Sequence, residues 1–287
     1  MIGAGRLGPA LARLLVEAGE PVAAIASRTP DHARRAAAFA GGGVRAAPLE
    51  ELPGIAGRVL IVVSDAAIAG VAERLAEAGF AGGAALHCCG SVGPEPLAPL
   101  DAAGASCGVL HPLQTVPSPE EGVKTLRGIY WSITGEGEAA AWAGRIVGLL
   151  DGHAVTIPAS ARPLYHAAAV TACNLFIALE DAALAMLERA GVPRREALAA
   201  LSPIVTLTCR NIFRLGPEAA LTGPISRGDR ETVARHLEAM RLLPATIQDF
   251  FRAGALHTVS LARRKGLDAE TTAHLERLLR DNSGRNA

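Results

Sequence analysis

The sequence predicts an α/β fold, a doubly wound parallel sheet followed by an all-helical second domain. Three observations carry this. Short apolar runs alternate with helical patterns as far as Ile157. A glycine-rich loop, Gly3-Ala4-Gly5-Arg6-Leu7-Gly8, leads into the first helix. Nothing after Pro158 reads as a strand. Alternating strand and helix is the pattern of a parallel sheet with helices on both faces.

The elements follow in order. Leu7, Ala10, Leu11, Leu14, Leu15 and Ala18 fall on one face of a helix, and Gly19 supplies its stop signal. Val22 to Ala26 is a short apolar run. Val59 to Val63 (V-L-I-V-V) is β-branched-rich, as a strand buried on both faces requires. Ala84 to Cys89 and Gly108 to Leu110 are weaker versions. A strand, a helix and a strand then read as Ile129 to Ile133, Glu138 to Leu150 and Ala154 to Ile157. Pro163 to Arg189 is a long helical pattern, opened by Ser160 and a proline and closed by Gly191. Arg194 to Leu215, Asp229 to Phe251 and Asp268 to Arg280 read as further helices. The expected boundary lies near Ala159, giving domains 1–158 and 159–287. The polar tail from Asn282 is expected to fray.

Composition narrows the function classes. The chain has 287 residues, with Lys plus Arg 28 and Asp plus Glu 28, so its formal charge is zero. A nucleic-acid binder needs a surplus of cations, and none exists globally. No run of about 18 uninterrupted apolar residues occurs, so no membrane span is expected. The sequence shows no charged-then-apolar leader. The five cysteines are odd in number and form no C-x-x-C pair, so free thiols and a cytoplasmic setting are expected.

The loop at 3–8 matches G-x-G-x-x-G. Gly3 permits a tight turn, Gly5 lets a pyrophosphate approach the backbone, and Gly8 lets helix and strand pack closely. The helix start offers unpaired N–H groups and a positive dipole end, with Arg6 beside them. About 20 residues past the third glycine, a dinucleotide site is read for cofactor type. Arg28 stands there, between Ser27 and Thr29. An NAD site would put an acid at this point; a cation with two hydroxyls suits a 2′-phosphate, so NADP is favoured over NAD. The plainer alternative is a solvated loop arginine. Only Met1 and Ile2 precede Gly3, where a strand of about five residues is expected. An upstream start is favoured over a strand stub.

In open parallel sheets ligands sit beyond the carboxyl ends of the strands. Ser64 and Asp65 follow one strand, Cys88 to Ser91 another, and His111 to Thr115 a third. Ser64, Ser91 and His111 are therefore expected to flank a nicotinamide, with Gln114 toward the substrate. His111 could act as a general acid or merely orient its loop. His87, Cys88, Cys89, Cys107 and His111 make an unconvincing metal set, because adjacent cysteines on a strand face opposite ways; no metal is expected. His166 and Asn174 share a broad face of the long helix. They could line a cleft facing the nicotinamide or bond to a neighbouring helix. In Leu221 to Asp229, Asp229 can cap the next helix, and Arg227 is either a carboxylate clamp or a surface arginine in a connector.

I-G-A-G-R-L-G at the start, H-P-L-Q-T at 111–115, Y-H-A-A-A-V-T-A-C-N at 165–174 and L-T-G-P-I-S-R-G-D at 221–229 together resemble a known family. It is that of Rossmann-like proteins with a helical domain of unknown function, number 2520. The resemblance implies an NADP oxidoreductase acting on a small molecule in a cleft between two domains. It also implies a helical domain similar to those of pyrroline-5-carboxylate reductase, deazaflavin-dependent NADP reductase and 6-phosphogluconate dehydrogenase, which commonly makes a homodimer. Two departures stand out. Cys88-Cys89 replaces what is usually Thr-Ser. The β-hydroxyacid dehydrogenases carry a catalytic lysine four residues before a helix asparagine, where this chain has Val170. Imine or deazaflavin reduction needs no such lysine. Its absence leaves a second possibility, a non-catalytic NADP(H) sensor or scaffold.

Overall fold

The computed structural model describes residues 1–281. The expected tail from Asn282 lies outside them. By internal contacts the chain forms two compact units, Met1–Cys173 and Asn174–Ala287.

The first unit follows the alternating pattern. Its elements are α1 (Leu7–Glu17), β1 (Ala24–Ile25), α2 (Pro30–Ala40), β2 (Arg45–Ala46), β3 (Arg58–Ile61), α3 (Ile68–Glu77), β4 (Ala84–His87), α4 (Ala98–Ala102) and β5 (Ser106–Pro112). Then come α5 (Pro119–Thr125), β6 (Tyr130–Gly135), α6 (Gly137–Leu149), β7 (His153–Thr156) and the start of α7 (Arg162–Arg189). Strands β3 to β7 form one sheet in chain order, while β1 and β2 pair separately. Ile2 joins the two by single parallel bridges to Ala26 and Ile61. Thus one residue occupies the position where the glycine motif calls for a full strand.

The sheet is mainly parallel, but β6 runs antiparallel to β5, with His111 opposite Ser132. The sequence pattern gives a strand's existence and not its direction. Strand residues alternate between two cores. Val59 and Ile61 pack with Ile68, Leu75, Phe80 and Leu97 on one face. Leu60, Leu86 and Leu110 pack with Leu11, Leu14, Trp131 and Ile146 on the other. Two covered faces explain the unbroken apolar runs.

The second unit holds the rest of α7, then α8 (Arg194–Leu215), α9 (Pro217–Ala220), α10 (Arg230–Met240), α11 (Ala245–Arg264) and α12 (Ala269–Arg280). The single helix expected over Asp229 to Phe251 is two. Pro244 has no N–H to donate and sits at the start of α11, where that loss is harmless. Asp229 caps α10, accepting from Thr232 N at 3.0 Å, and Asp268 caps α12 in the same way. Val233, Leu237, Ala255, Val259, Leu275 and Leu279 form this unit's core.

The unit boundary falls within α7, beyond the expected break near Ala159. The reason is local: the first turn of α7 carries Arg162, whose guanidinium bonds to Thr134 on β6 and to the Cys89 carbonyl after β4. The helix over Ala159–Arg189 is, by length and composition, apolar enough to cross a membrane, an 18-residue stretch within it having mean hydropathy 1.6. No uninterrupted apolar run marks it in the sequence, because His166, Thr171, Asn174, Glu180 and Asp181 punctuate it.

Candidate functional site

An open groove of about 1370 Å³ runs across the carboxyl ends of the central strands of the first unit. The loop Gly3–Leu7 lies along it. One end holds Ser27, Arg28, Thr29, His32 and Arg34; the other holds Ser64, Cys88, His111 and Gln114. Residues far apart in sequence meet here because parallel strands all end on the same side.

The glycine loop is built by close approach. Gly3 has φ +119°, a conformation L side chains rarely adopt, and its Hα faces the Val62 carbonyl. A Cβ on Gly8 would collide with the Gly3 carbonyl oxygen. Around Gly5 nothing lies within 4 Å of such an atom. The first and third glycines therefore serve the fold, and the second leaves room for a ligand.

Charge on the groove is selective. Arg34 pairs with Asp31, and Arg74 with Glu50. Arg6 and Arg28 are exposed on the groove and pair with no acid among the described residues. They carry uncommitted donors at the loop and at the end where a 2′-phosphate would lie. Thr29 precedes α2 as its N-cap residue, so backbone N–H groups also face that end.

Near the other end lies a corner rich in imidazoles. His87 is fully buried; its Nδ1 accepts from the Cys89 N–H at 3.1 Å and its Nε2 meets the Gly93 carbonyl at 2.7 Å. Those two bonds fix its tautomer, with the proton on Nε2. Burial pushes its pKa below the ordinary value. His87 thus shapes the loop of Cys88–Gly93. Ser91 is tied to that loop, its hydroxyl 3.2 Å from Cys89 Sγ, and does not line the groove. Burial also pushes the Cys88 thiol up to about 12, leaving it protonated and unreactive.

His111 sits at the end of β5, its Nδ1 2.9 Å from the Tyr165 hydroxyl. Burial first, then the Arg162 and His166 charges, pushes its pKa down to about 4. It is neutral near pH 7, an imidazole bonded to a phenol. His166 packs edge-on against it, ring centroids 6.0 Å apart. Both rings press on Gly90, where a Cβ would lie 2.8 Å from His111 Nε2. Tyr165 and Arg162 belong to this corner but escaped selection from sequence. Their signal was only proximity to His166, since Arg162 and Thr134 stand 28 residues apart.

Gly3, Gly5, Arg6, Ser27, Arg28, Thr29, Ser64, His111 and Gln114 all line the groove. Gly8 lies behind the loop. His166 adjoins His111 within the first unit. Asn174 is exposed on α7 in the second unit, as is Arg227 in its loop, so neither is a buried polar group seeking a partner. Among the described residues no group of three or more His, Cys, Asp or Glu side chains gathers as a metal site.

Residues 1–112 match the model of a Rossmann-like domain, and residues 129–258 match a domain of unknown function, DUF2520. The chain is a Rossmann-like protein with a DUF2520 domain. No curated protein matches it. Among solved structures, a protein from Thermotoga maritima is 23% identical over 92% of this chain and 98% of its own, with a TM-score of 0.71. An imine reductase from a Pseudomonas species is 21% identical over 97% of each chain, TM-score 0.62. A reductive aminase from Aspergillus terreus, in complex with NADPH and ethyl-5-oxohexanoate, is 19% identical over 97% of this chain and 90% of its own, TM-score 0.61. At these identities the likeness establishes the fold.

Proposed function

We propose that this chain is an NADP(H)-dependent oxidoreductase that transfers a hydride to or from a small-molecule substrate. The observation that carries the proposal is the groove, with a glycine loop along it, two unpaired arginines beside it and a His111–Tyr165 pair near its far end. The likeness to a reductive aminase solved in complex with NADPH and to an imine reductase supports the same reading.

The fit of the cofactor rests on the chain's own groups. Gly5 leaves its face open, and Gly3, Gly8 and Arg6 frame the start of α1 for a pyrophosphate. Ser27, Arg28 and Thr29 would hold the 2′-phosphate. Ser64 and His111 would lie beside the nicotinamide, which when bound supplies the hydride. Gln114 and His111 face the substrate side, and the Tyr165 hydroxyl is held 2.9 Å from His111 Nδ1. Asn174 and Arg227 stay as candidates for substrate contact from the second unit.

Arg28→Ala is expected to weaken NADPH at least about tenfold while leaving NADH nearly unchanged, since a charge-assisted bond to phosphate contributes about 1.5–3 kcal/mol. Calorimetric titration of both nucleotides checks this. Equal losses for NADPH and NADH would sink the 2′-phosphate assignment. The absence of a lysine at Val170 favours a second reading, a non-catalytic NADP(H) sensor. Binding without turnover across a broad carbonyl and imine panel would select it.

Helices α7 and α8 expose Ile177, Leu198, Ile204 and Phe213, the last 88% exposed. Exposed apolar surface of this kind calls for a cover. We assign it to a second copy, making a homodimer through the helical unit. Sedimentation should give a dimer, and Phe213→Asp a monomer; a monomeric parent protein would refute it. Five free cysteines accord with a cytoplasmic setting.

A further inference from the structure

Arg162 is fully buried beside His111 and Tyr165, yet it has no carboxylate partner among the described residues. Its Nη1 donates to Thr134 Oγ1 at 2.8 Å, and its Nη2 to the Cys89 carbonyl at 2.9 Å and Ser132 Oγ at 3.4 Å. Every one of these acceptors is neutral. Its Nε is buried without a partner, and so is Nδ1 of His166. The guanidinium lies 5.6 Å from the centre of the Tyr165 ring. The acids that act on this corner, Asp65 and Glu95, are exposed and bond to none of its groups. The Tyr165 phenol, the thiols of Cys88 and Cys89 and the imidazoles of His87, His111 and His166 complete its titratable set. One buried positive charge therefore stands without a bonded counter-ion.

Such a corner distinguishes between the two substrate types that hydride transfer admits. A carbonyl carbon that accepts a hydride forms a C–H bond while the C=O π pair moves onto oxygen. That oxygen passes from neutral to negative and then takes a proton, which the Tyr165 O–H can give and water can restore. A bound reduced nicotinamide would supply that hydride and so lose the same two electrons. An iminium carbon accepting the same hydride starts positive and ends neutral. A fixed buried cation stabilises the first change and disfavours entry of the second substrate.

Resting on the oxidoreductase reading, we infer that the reacting group in this corner is a carbonyl, neutral or part of an oxo acid, and not an iminium ion. The unpartnered Nε–H of Arg162, with the unpartnered Nδ1 of His166 nearby, sets the field, and Arg162 is its positioning residue.

The test uses two unreactive probes on the NADP+-loaded protein: oxamate, an anionic oxo-acid mimic, and pyrrolidinium, a cationic mimic of a cyclic iminium. Calorimetry at pH 7 should show oxamate binding at least about tenfold tighter, as expected for opposite charges meeting a buried cation. Arg162→Lys should keep that preference and Arg162→Met erase it, with circular dichroism confirming that each is folded. The unaltered protein decides the matter even if Arg162→Met does not fold. Tighter pyrrolidinium, or no binding of either probe by protein that holds NADP+, overturns the inference and leaves the oxidoreductase reading standing. Failure to hold NADP+ at all overturns both.

Discussion

Gly8→Ala is expected to weaken cofactor binding by breaking the loop, whereas Gly5→Ala is expected to weaken it with the fold intact. The two glycines look equivalent in G-x-G-x-x-G, but their surroundings differ. A methyl on Gly8 meets the Gly3 carbonyl oxygen, a backbone atom that cannot turn aside, and the Gly3 carbonyl carbon lies only 3.2 Å away. Relief requires α1 to move from the sheet, where Leu11 and Leu14 are fully packed. Overpacking of this kind costs about 1–3 kcal/mol and sometimes more. A methyl on Gly5 enters open space, so stability should stay within about 0.5 kcal/mol. That space is where a pyrophosphate must approach the backbone, so NADPH should bind at least about tenfold more weakly. Thermal melting and NADPH titration of both variants separate the cases. Gly5→Ala binding NADPH as tightly as the parent would remove the loop from the cofactor site.

That contrast shows what a sequence can and cannot display. The motif and the Leu7–Ala18 stripe were legible because they are local: spacing along one helix reports its buried face. Arg28 was legible because the motif fixes a distance to it. The sheet's two cores were legible in the V-L-I-V-V run, since only a strand covered on both sides is apolar throughout. The antiparallel turn of β6 was not, because apolar content carries no direction. The break before α11 was missed although Pro244 marked it, since apolar residues continue across it from Leu237 through Leu243 to Ile247. Arg162 was illegible for a stronger reason. An arginine in the first turn of a helix reads as solvated, and only the fold brings it to the Cys89 carbonyl, 73 residues away. Buried unpaired charge is a tertiary property.

The other large effect concerns the pair near the far end of the groove. With a carbonyl substrate found by screening, His111→Ala and Tyr165→Phe are each expected to lower kcat by about 10²–10⁴, the usual contribution of a positioned proton donor. Neither should weaken NADPH, because the cofactor's phosphates are held elsewhere. The double variant should lose little more than either single one, as groups acting as a unit are not additive. Additive losses would mean that the 2.9 Å contact between His111 and Tyr165 does not couple them in the reaction. Stability offers an independent check on the state of the imidazole. Folding holds the His111 pKa at about 4, below its ordinary value of 6.5, chiefly by burial. The unfolded chain then binds a proton that the folded chain refuses, so stability is fully present above pH 6.5 and falls as the pH drops toward 4. His87, lowered in the same direction by its own burial, adds to the slope. His111→Gln removes one contributor and should flatten the decline without removing it. An unchanged slope in that variant would mean that His111 titrates freely in the folded protein, and the neutral imidazole that orients Tyr165 would have to be abandoned.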